Sequence, residues 1–196
     1  MNRWVGPLLP ALLGLVIGMA AGPSQARQSA HILIDHDTGA VLDARNADAT
    51  AFPASLTKMM TLYLTFRALD ARQIKPGSRF KVSARAAGMP PTKLGLKPGS
   101  SIEVEDAIMG LVTKSANDAA AVLAEGLGGS ESRFAVLMTR TARQLGMKRT
   151  VFRNASGLPD AQQRSTARDL ARLATRLIVD FPHHYRYFSR RSFTYA

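Results

Sequence analysis

Pro53-Ala54-Ser55-Leu56-Thr57-Lys58-Met59-Met60-Thr61 opens a stretch that stays apolar to Leu69, through Leu62, Tyr63, Leu64 and Phe66. Proline suits the start of a helix, because the N–H it lacks has no partner in the first turn. A helix that is apolar on nearly every face belongs inside a protein. The stretch therefore predicts a buried helix at the centre of the fold. Ser55 and Lys58 interrupt it, and residues three apart on a helix are neighbours on one face. An amine in apolar surroundings loses solvation of its charged form, so its pKa falls. A neutral amine beside a hydroxyl is a general base for a nucleophilic serine. First-turn N–H groups have no intrahelical partner, which leaves the Ser55 N–H free to face a developing oxyanion. Ser55 and Lys58 are thus the candidate nucleophile and base.

The spacing alone does not select them. Ser78-Arg79-Phe80-Lys81 repeats it after Pro76-Gly77, in a loop or strand. A second constellation supports the first pair. Lys114-Ser115-Ala116-Asn117-Asp118 breaks the helical pattern of Glu103 to Val112 and precedes another helix, Ala119 to Leu127. The Ser115 hydroxyl there can pass a proton to a leaving amine, and the Asn117 carboxamide can pair with a substrate amide. Serine and asparagine at such a junction also serve as helix caps, and the residues by themselves leave both readings open.

Working outward, the 196 residues are 46% hydrophobic and 20% charged, the balance of one ordinary globular domain. Residues 1–26 read as a secretory signal: Arg3, an apolar core from Leu8 to Ala21, and Ser24-Gln25-Ala26 as a small-x-small cleavage site. Without it the net charge of +12 becomes +11, since Arg3 is its one charged residue. There are no cysteines, which excludes a disulfide framework and thiolate metal sites. Twelve Lys/Arg against three Asp follow Thr139. Such a basic segment reads first as an ordinary solvated face; as a binding surface on an exported chain, it would suit an anionic envelope rather than nucleic acid. His183 and His184 are adjacent but lack a third ligand in the sequence around them. No metal site and no cofactor is expected.

Ala30 to Ile34 and Ala40 to Leu42 flank His36-Asp37-Thr38-Gly39 and predict a hairpin. Asp37-Thr38-Gly39 also matches the aspartic-protease triplet, but the polar Asp35-His36 before it favours a turn. Val82 to Ser101, rich in Pro and Gly, reads as irregular. Asn117 or Asp118 is expected to cap the helix that follows. Further helices are expected from Glu131 to Leu145 and from Thr166 to Ile178, with a short strand at Thr150 to Phe152. Thr166 and Asp169 have capping-box spacing.

Taken in order, Pro53 to Thr61, Lys114 to Ala120, Gly157-Leu158-Pro159 and Ser165-Thr166-Ala167-Arg168-Asp169 resemble the serine D-alanyl-D-alanine carboxypeptidases. These are the low-molecular-mass penicillin-binding proteins of bacterial cell-wall maturation. The resemblance runs from about Ser29 to the end. It implies an α+β fold, the N-terminal part of the serine β-lactamase/D,D-peptidase type: a helical cluster with an antiparallel sheet. Residues 27–196 would be a partial catalytic domain, working in the periplasm at the outer face of the cytoplasmic membrane. Ser55 would attack the carbonyl between the terminal D-alanines of a peptidoglycan stem peptide, with Lys58 as base. Ser115 would relay the proton to the leaving D-alanine, Asn117 would hold the substrate backbone, and water would release the acyl-enzyme. β-Lactam antibiotics would acylate the same serine.

One departure tempers this. The family carries a later Lys-Thr-Gly motif, which binds the substrate's terminal carboxylate on a strand that completes the oxyanion hole. The 196 residues contain no Lys-Thr-Gly or Lys-Ser-Gly. Losing one oxyanion donor costs about 3 kcal/mol of transition-state stabilisation, so the expectation is a fragment of the fold, impaired in turnover at this length. Its helices are expected to leave an apolar face uncovered. A class A-type β-lactamase would need a glutamate after the second motif. No glutamate follows Glu131, and the second motif reads Ser-Ala-Asn rather than Ser-Asp-Asn. The alternative from another class is a non-catalytic exported protein that binds peptidoglycan or other envelope polymer through the basic late segment.

Overall fold

The computed structural model describes residues 29–195. The signal reading of residues 1–26 lies outside them. At the centre is helix α1 (Lys58–Asp70), whose Met60, Leu62, Leu64 and Phe66 are buried together with Thr61, Tyr63 and Thr65 between them. Burial on every side is what an all-round apolar helix requires. Helices α3 (Val104–Lys114), α4 (Asn117–Gly128), α5 (Glu131–Gln144) and α6 (Ala167–Asp180) all pack against α1. On α4 the fully buried Ala119, Ala120, Ala121 and Ala124 keep side chains short where three helices meet.

The strands form two separate antiparallel pairs, which makes the architecture α+β. Strands β1 (His31–Ile34) and β2 (Val41–Arg45) are the predicted hairpin, with His31 opposite Arg45 and a bulge at Leu33/Ile34. Its turn is closed by the Asp35 carboxylate, which accepts from Thr38 N at 2.8 Å, and by Gly39 at φ +71°. That is the turn reading of Asp37-Thr38-Gly39, on a conformation that glycine adopts without strain. Strands β3 (Arg79–Lys81) and β4 (Ser101–Glu103) bracket the irregular segment. Within it lies one short turn of helix, α2 (Ala84–Ala87), capped by Ser83. The competing Ser78/Lys81 pair sits at a turn and on this strand, where residues three apart face opposite sides.

Four expectations need correction. The helices bury most of their apolar surface against one another, leaving Val136 on α5 and Val179 on α6 exposed. Other exposed apolar side chains lie in the hairpin, at Leu33, Val41 and Leu42, and beside it at Phe52 and Leu56. Thr150 to Phe152 forms no strand, only a single bridge between Val151 and Arg164. The Thr166 hydroxyl caps α6 by accepting from Asp169 N at 3.1 Å. The reciprocal half of the box is replaced, because the Asp169 carboxylate accepts from Arg149 N and the Thr150 hydroxyl.

The fourth concerns α4, which neither Asn117 nor Asp118 caps. Its N-cap is Ala116. The fully buried Asp118 carboxylate instead accepts from Leu94 N at 2.9 Å, Gly95 N at 2.9 Å and Leu96 N at 3.1 Å. One side chain thus satisfies three successive amides of an irregular segment. Asp118→Ala leaves those donors without partners, so a loss of about 3 kcal/mol is expected in chemical denaturation.

Candidate active site

The chain enters the site through Ala51, bridged to Ser165 by hydrogen bonds of 2.9 Å in each direction. Buried Pro53 follows, and then Ala54 at φ +47°, a left-handed conformation unusual for alanine. That bend feeds a 3-10 turn, Ala54–Thr57, rather than the first α turn predicted for Ser55. The consequence for spacing is small, because residues i and i+3 eclipse on a 3-10 turn. Ser55 is exposed, whereas Lys58, the first residue of α1, is buried with 4% exposure.

Burial pushes the Lys58 amine down from 10.5 to about 8. Both acceptors that hold it are neutral: Nζ donates to Asn117 Oδ1 at 2.9 Å and to the Ser156 carbonyl at 2.7 Å. A neutral amine has two N–H bonds and one lone pair. These two contacts fix both N–H bonds, leaving the lone pair as its unengaged feature. Neither the Ser55 nor the Ser115 hydroxyl is hydrogen-bonded to Lys58 among the described residues. The Lys58 amine is therefore positioned by Asn117 and Ser156, independently of either serine.

The second motif lies where α3 hands over to α4. Ser115 takes φ +54° at the end of α3, and its carbonyl accepts from the Thr92 hydroxyl at 3.1 Å. That reversal delivers Asn117 to Lys58. Besides accepting from Lys58, the Asn117 carboxamide donates to the Pro90 carbonyl at 3.0 Å and the Pro91 carbonyl at 3.2 Å. All of its polar atoms are thus engaged within the protein. The structure brings together Lys58 and Asn117, sets Ser55 one 3-10 turn before the lysine, and sets Ser115 at the junction beside Asn117.

The loop Asn154 to Gly157 completes the arrangement. The Thr61 hydroxyl, one turn after Lys58, donates to the Ala155 carbonyl at 2.8 Å. The buried Glu131 carboxylate accepts from Ala155 N at 2.9 Å and pairs with Arg85. Gly157, at φ +88°, lies directly against the Ala54 carbonyl, and a Cβ there would stand 3.0 Å from Ser55 N. Residue patterns do not reveal this loop's part in the site, because its contribution is a main-chain carbonyl. Gly157-Leu158-Pro159 was the one trace of it.

In the basic late segment, Arg168, Arg172 and Arg176 pair with Asp48, Asp169 and Asp180. That portion of the excess charge is locally neutralised.

A profile of the D-alanyl-D-alanine carboxypeptidase family matches residues 18–196. The D-alanyl-D-alanine carboxypeptidase DacF of Bacillus subtilis is 35% identical over 91% of this chain and 48% of its own length. Penicillin-binding protein 5 of Haemophilus influenzae superposes with a TM-score of 0.81 at 34% identity, covering 85% of this chain and 49% of that one. Penicillin-binding protein D2 of Listeria monocytogenes, in its cefotaxime-bound form, gives 0.74 at 30% identity over 85% of this chain and 68% of that one. The chain spans about half the length of the curated relatives it matches. With a serine D,D-peptidase fold, and with that match over nearly all its residues, the chain belongs to the D-alanyl-D-alanine carboxypeptidase family.

Proposed function

We propose that the chain carries the acylating centre of a serine D,D-carboxypeptidase acting on peptidoglycan stem peptides that end in D-Ala-D-Ala. One observation carries this reading. Lys58 is buried, has no carboxylate partner among the described residues and has both N–H bonds occupied, one 3-10 turn from an exposed serine. At neutral pH such a lysine holds a usable fraction of free base. The Ser55 hydroxyl gives its proton to Lys58 Nζ while its oxygen bonds to the carbonyl carbon of the penultimate D-alanine. As the C–N bond breaks, the proton passes through the Ser115 hydroxyl to the departing D-alanine amine. Water then cleaves the ester and restores Ser55. Asn117 holds the base in place, and it reaches a substrate amide by exchanging its contact to the Pro90 or Pro91 carbonyl.

β-Lactams enter the same scheme as acylating agents, an assignment supported by relatives crystallised with ampicillin and cefotaxime. The signal reading of residues 1–26 and the substrate class together favour a periplasmic site of action. The unpaired part of the basic segment suits an anionic envelope surface.

The test is covalent labelling of the purified chain with a fluorescent penicillin, followed by mass mapping of the adduct. A single adduct on the peptide that contains Ser55 is expected. A folded chain that takes no label, or takes it elsewhere, would overturn the proposal.

A further inference from the structure

The sequence around the adjacent His183 and His184 offers no third ligand, and the fold supplies one. Asp70 ends α1, while His183 and His184 lie in the turn after α6, just before the 3-10 turn Tyr185–Ser189. Both histidines converge on one carboxylate oxygen: Asp70 Oδ1 lies 3.0 Å from His183 Nε2 and 2.8 Å from His184 Nε2. All three ligand atoms lie within 4.8 Å of one another. We propose that Asp70, His183 and His184 form a binding site for a late first-row divalent cation, zinc foremost, that ties the chain after α6 to the end of α1.

Ligand chemistry selects the class of ion. Two imidazoles and one carboxylate suit zinc, copper or nickel, whereas magnesium and calcium want oxygen alone. Three protein ligands leave the fourth tetrahedral position to water. Bond lengths near 2.0–2.1 Å put neighbouring ligand atoms of a tetrahedron about 3.3 Å apart. The two Asp70 contacts need to open by only a few tenths of an ångström, and the two imidazole nitrogens, within 4.8 Å of each other, settle to the same edge length. Proton balance is simple: each neutral imidazole moves its proton from Nε2 to Nδ1 and turns the freed Nε2 lone pair to the metal.

The scaffold restrains two of the ligands. The His184 ring stacks on Phe66 with centroids 4.8 Å apart and planes 17° apart, and its side chain is only 12% exposed. Phe66 lies four residues before Asp70, on the same face of α1. His183 is 62% exposed and gives an ion its path from solvent. Lys58 stands at the other end of α1, about 18 Å along the helix axis at 1.5 Å per residue. The cation therefore acts on the fold, as a clip between α1 and the segment from Phe181 to Ser189, and not on the reacting atoms. Its binding does not depend on the acyl-transfer reading.

The test is calorimetric titration of the metal-free 196-residue chain with zinc chloride, repeated with cobalt(II) to read its visible d–d absorption. One ion per chain is expected, with a dissociation constant in the micromolar range and tetrahedral cobalt bands. His183→Ala and Asp70→Asn, both at partly exposed positions, should each weaken binding at least tenfold and remove the zinc-dependent rise in Tm. The fold of each variant is checked by circular dichroism. No binding, or binding unchanged in both variants, would overturn the site. In the second case the ion would sit at the other histidines, beginning with His31, which pairs with Asp43.

Discussion

Gly157→Ala is expected to destabilise the protein by about 4 kcal/mol and to abolish penicillin labelling of Ser55 in whatever fraction stays folded. Two independent causes add. At φ +88° an L side chain is strained, which costs about 1–3 kcal/mol. The added methyl also overlaps the Ala54 carbonyl, a backbone group that no rotamer change can move aside. Relief requires the loop and the 3-10 turn to separate, at a further 1–3 kcal/mol or so, typical of overpacking. That separation displaces Ser55 and draws the Ser156 carbonyl away from Lys58 at the same time. A displacement of about 1 Å at a reacting group can cost 10²-fold in rate. Ser156→Ala is the control. It keeps the carbonyl that holds Lys58 and removes only a hydroxyl with contacts of 3.4 Å. Its stability should stay within about 1 kcal/mol of the parent, and its labelling should be unchanged. Thermal unfolding and labelling rates, measured together, check both variants.

That contrast shows which parts of the site a sequence can carry. The burial of α1 was legible because helix periodicity left it no polar face. The placement of Ser55 and Lys58 one turn apart was legible because their spacing survives the change from an α turn to a 3-10 turn. The hairpin and the Thr166 cap follow from local turn and cap chemistry. What escaped are groups whose roles depend on a distant partner. The Ser156 carbonyl belongs to every residue type alike, so no pattern marks it as the acceptor for Lys58. Glu131 reads as the first acid of a helix, which suits the helix dipole. Only the packing of α5 reveals that its carboxylate holds Ala155 N. Asp118 reads as a cap, until the segment from Leu94 to Leu96 folds back onto it. His183 and His184 lacked a ligand because Asp70 lies more than a hundred residues away in sequence. In the hairpin, Leu33, Val41 and Leu42 are exposed. Alternation shows which faces of a strand are apolar, but not what packs against them.

Lys58→Met is expected to slow penicillin acylation of Ser55 by about 10²–10⁴-fold, the usual worth of a general base. Methionine fills the same apolar space, so the fold should survive, although Asn117 Oδ1 and the Ser156 carbonyl lose their donor. Lys58→Arg separates charge from basicity: a guanidinium can donate to both acceptors but does not deprotonate. It should therefore be as slow as Lys58→Met. An arginine variant that keeps a near-parental rate would mean that Lys58 acts by its charge, and the general-base assignment would fall. The parental pH dependence follows from the same pKa. With Lys58 at about 8, the neutral fraction is about one tenth at pH 7 and about nine tenths at pH 9. The acylation rate should accordingly climb about tenfold across that interval and level off above it, and both variants should lose the rise. Stability carries the matching sign. The folded-state value lies below the 10.5 of the free side chain, so between the two the unfolded chain binds the extra proton. Stability therefore increases with pH across that window, and below it the full penalty of burying the charged amine persists unchanged. Denaturation at pH 7.5 and pH 10 should show this gain in the parent and lose it in Lys58→Met. The pH that switches on the base would then be the pH at which the penalty for burying it begins to lift.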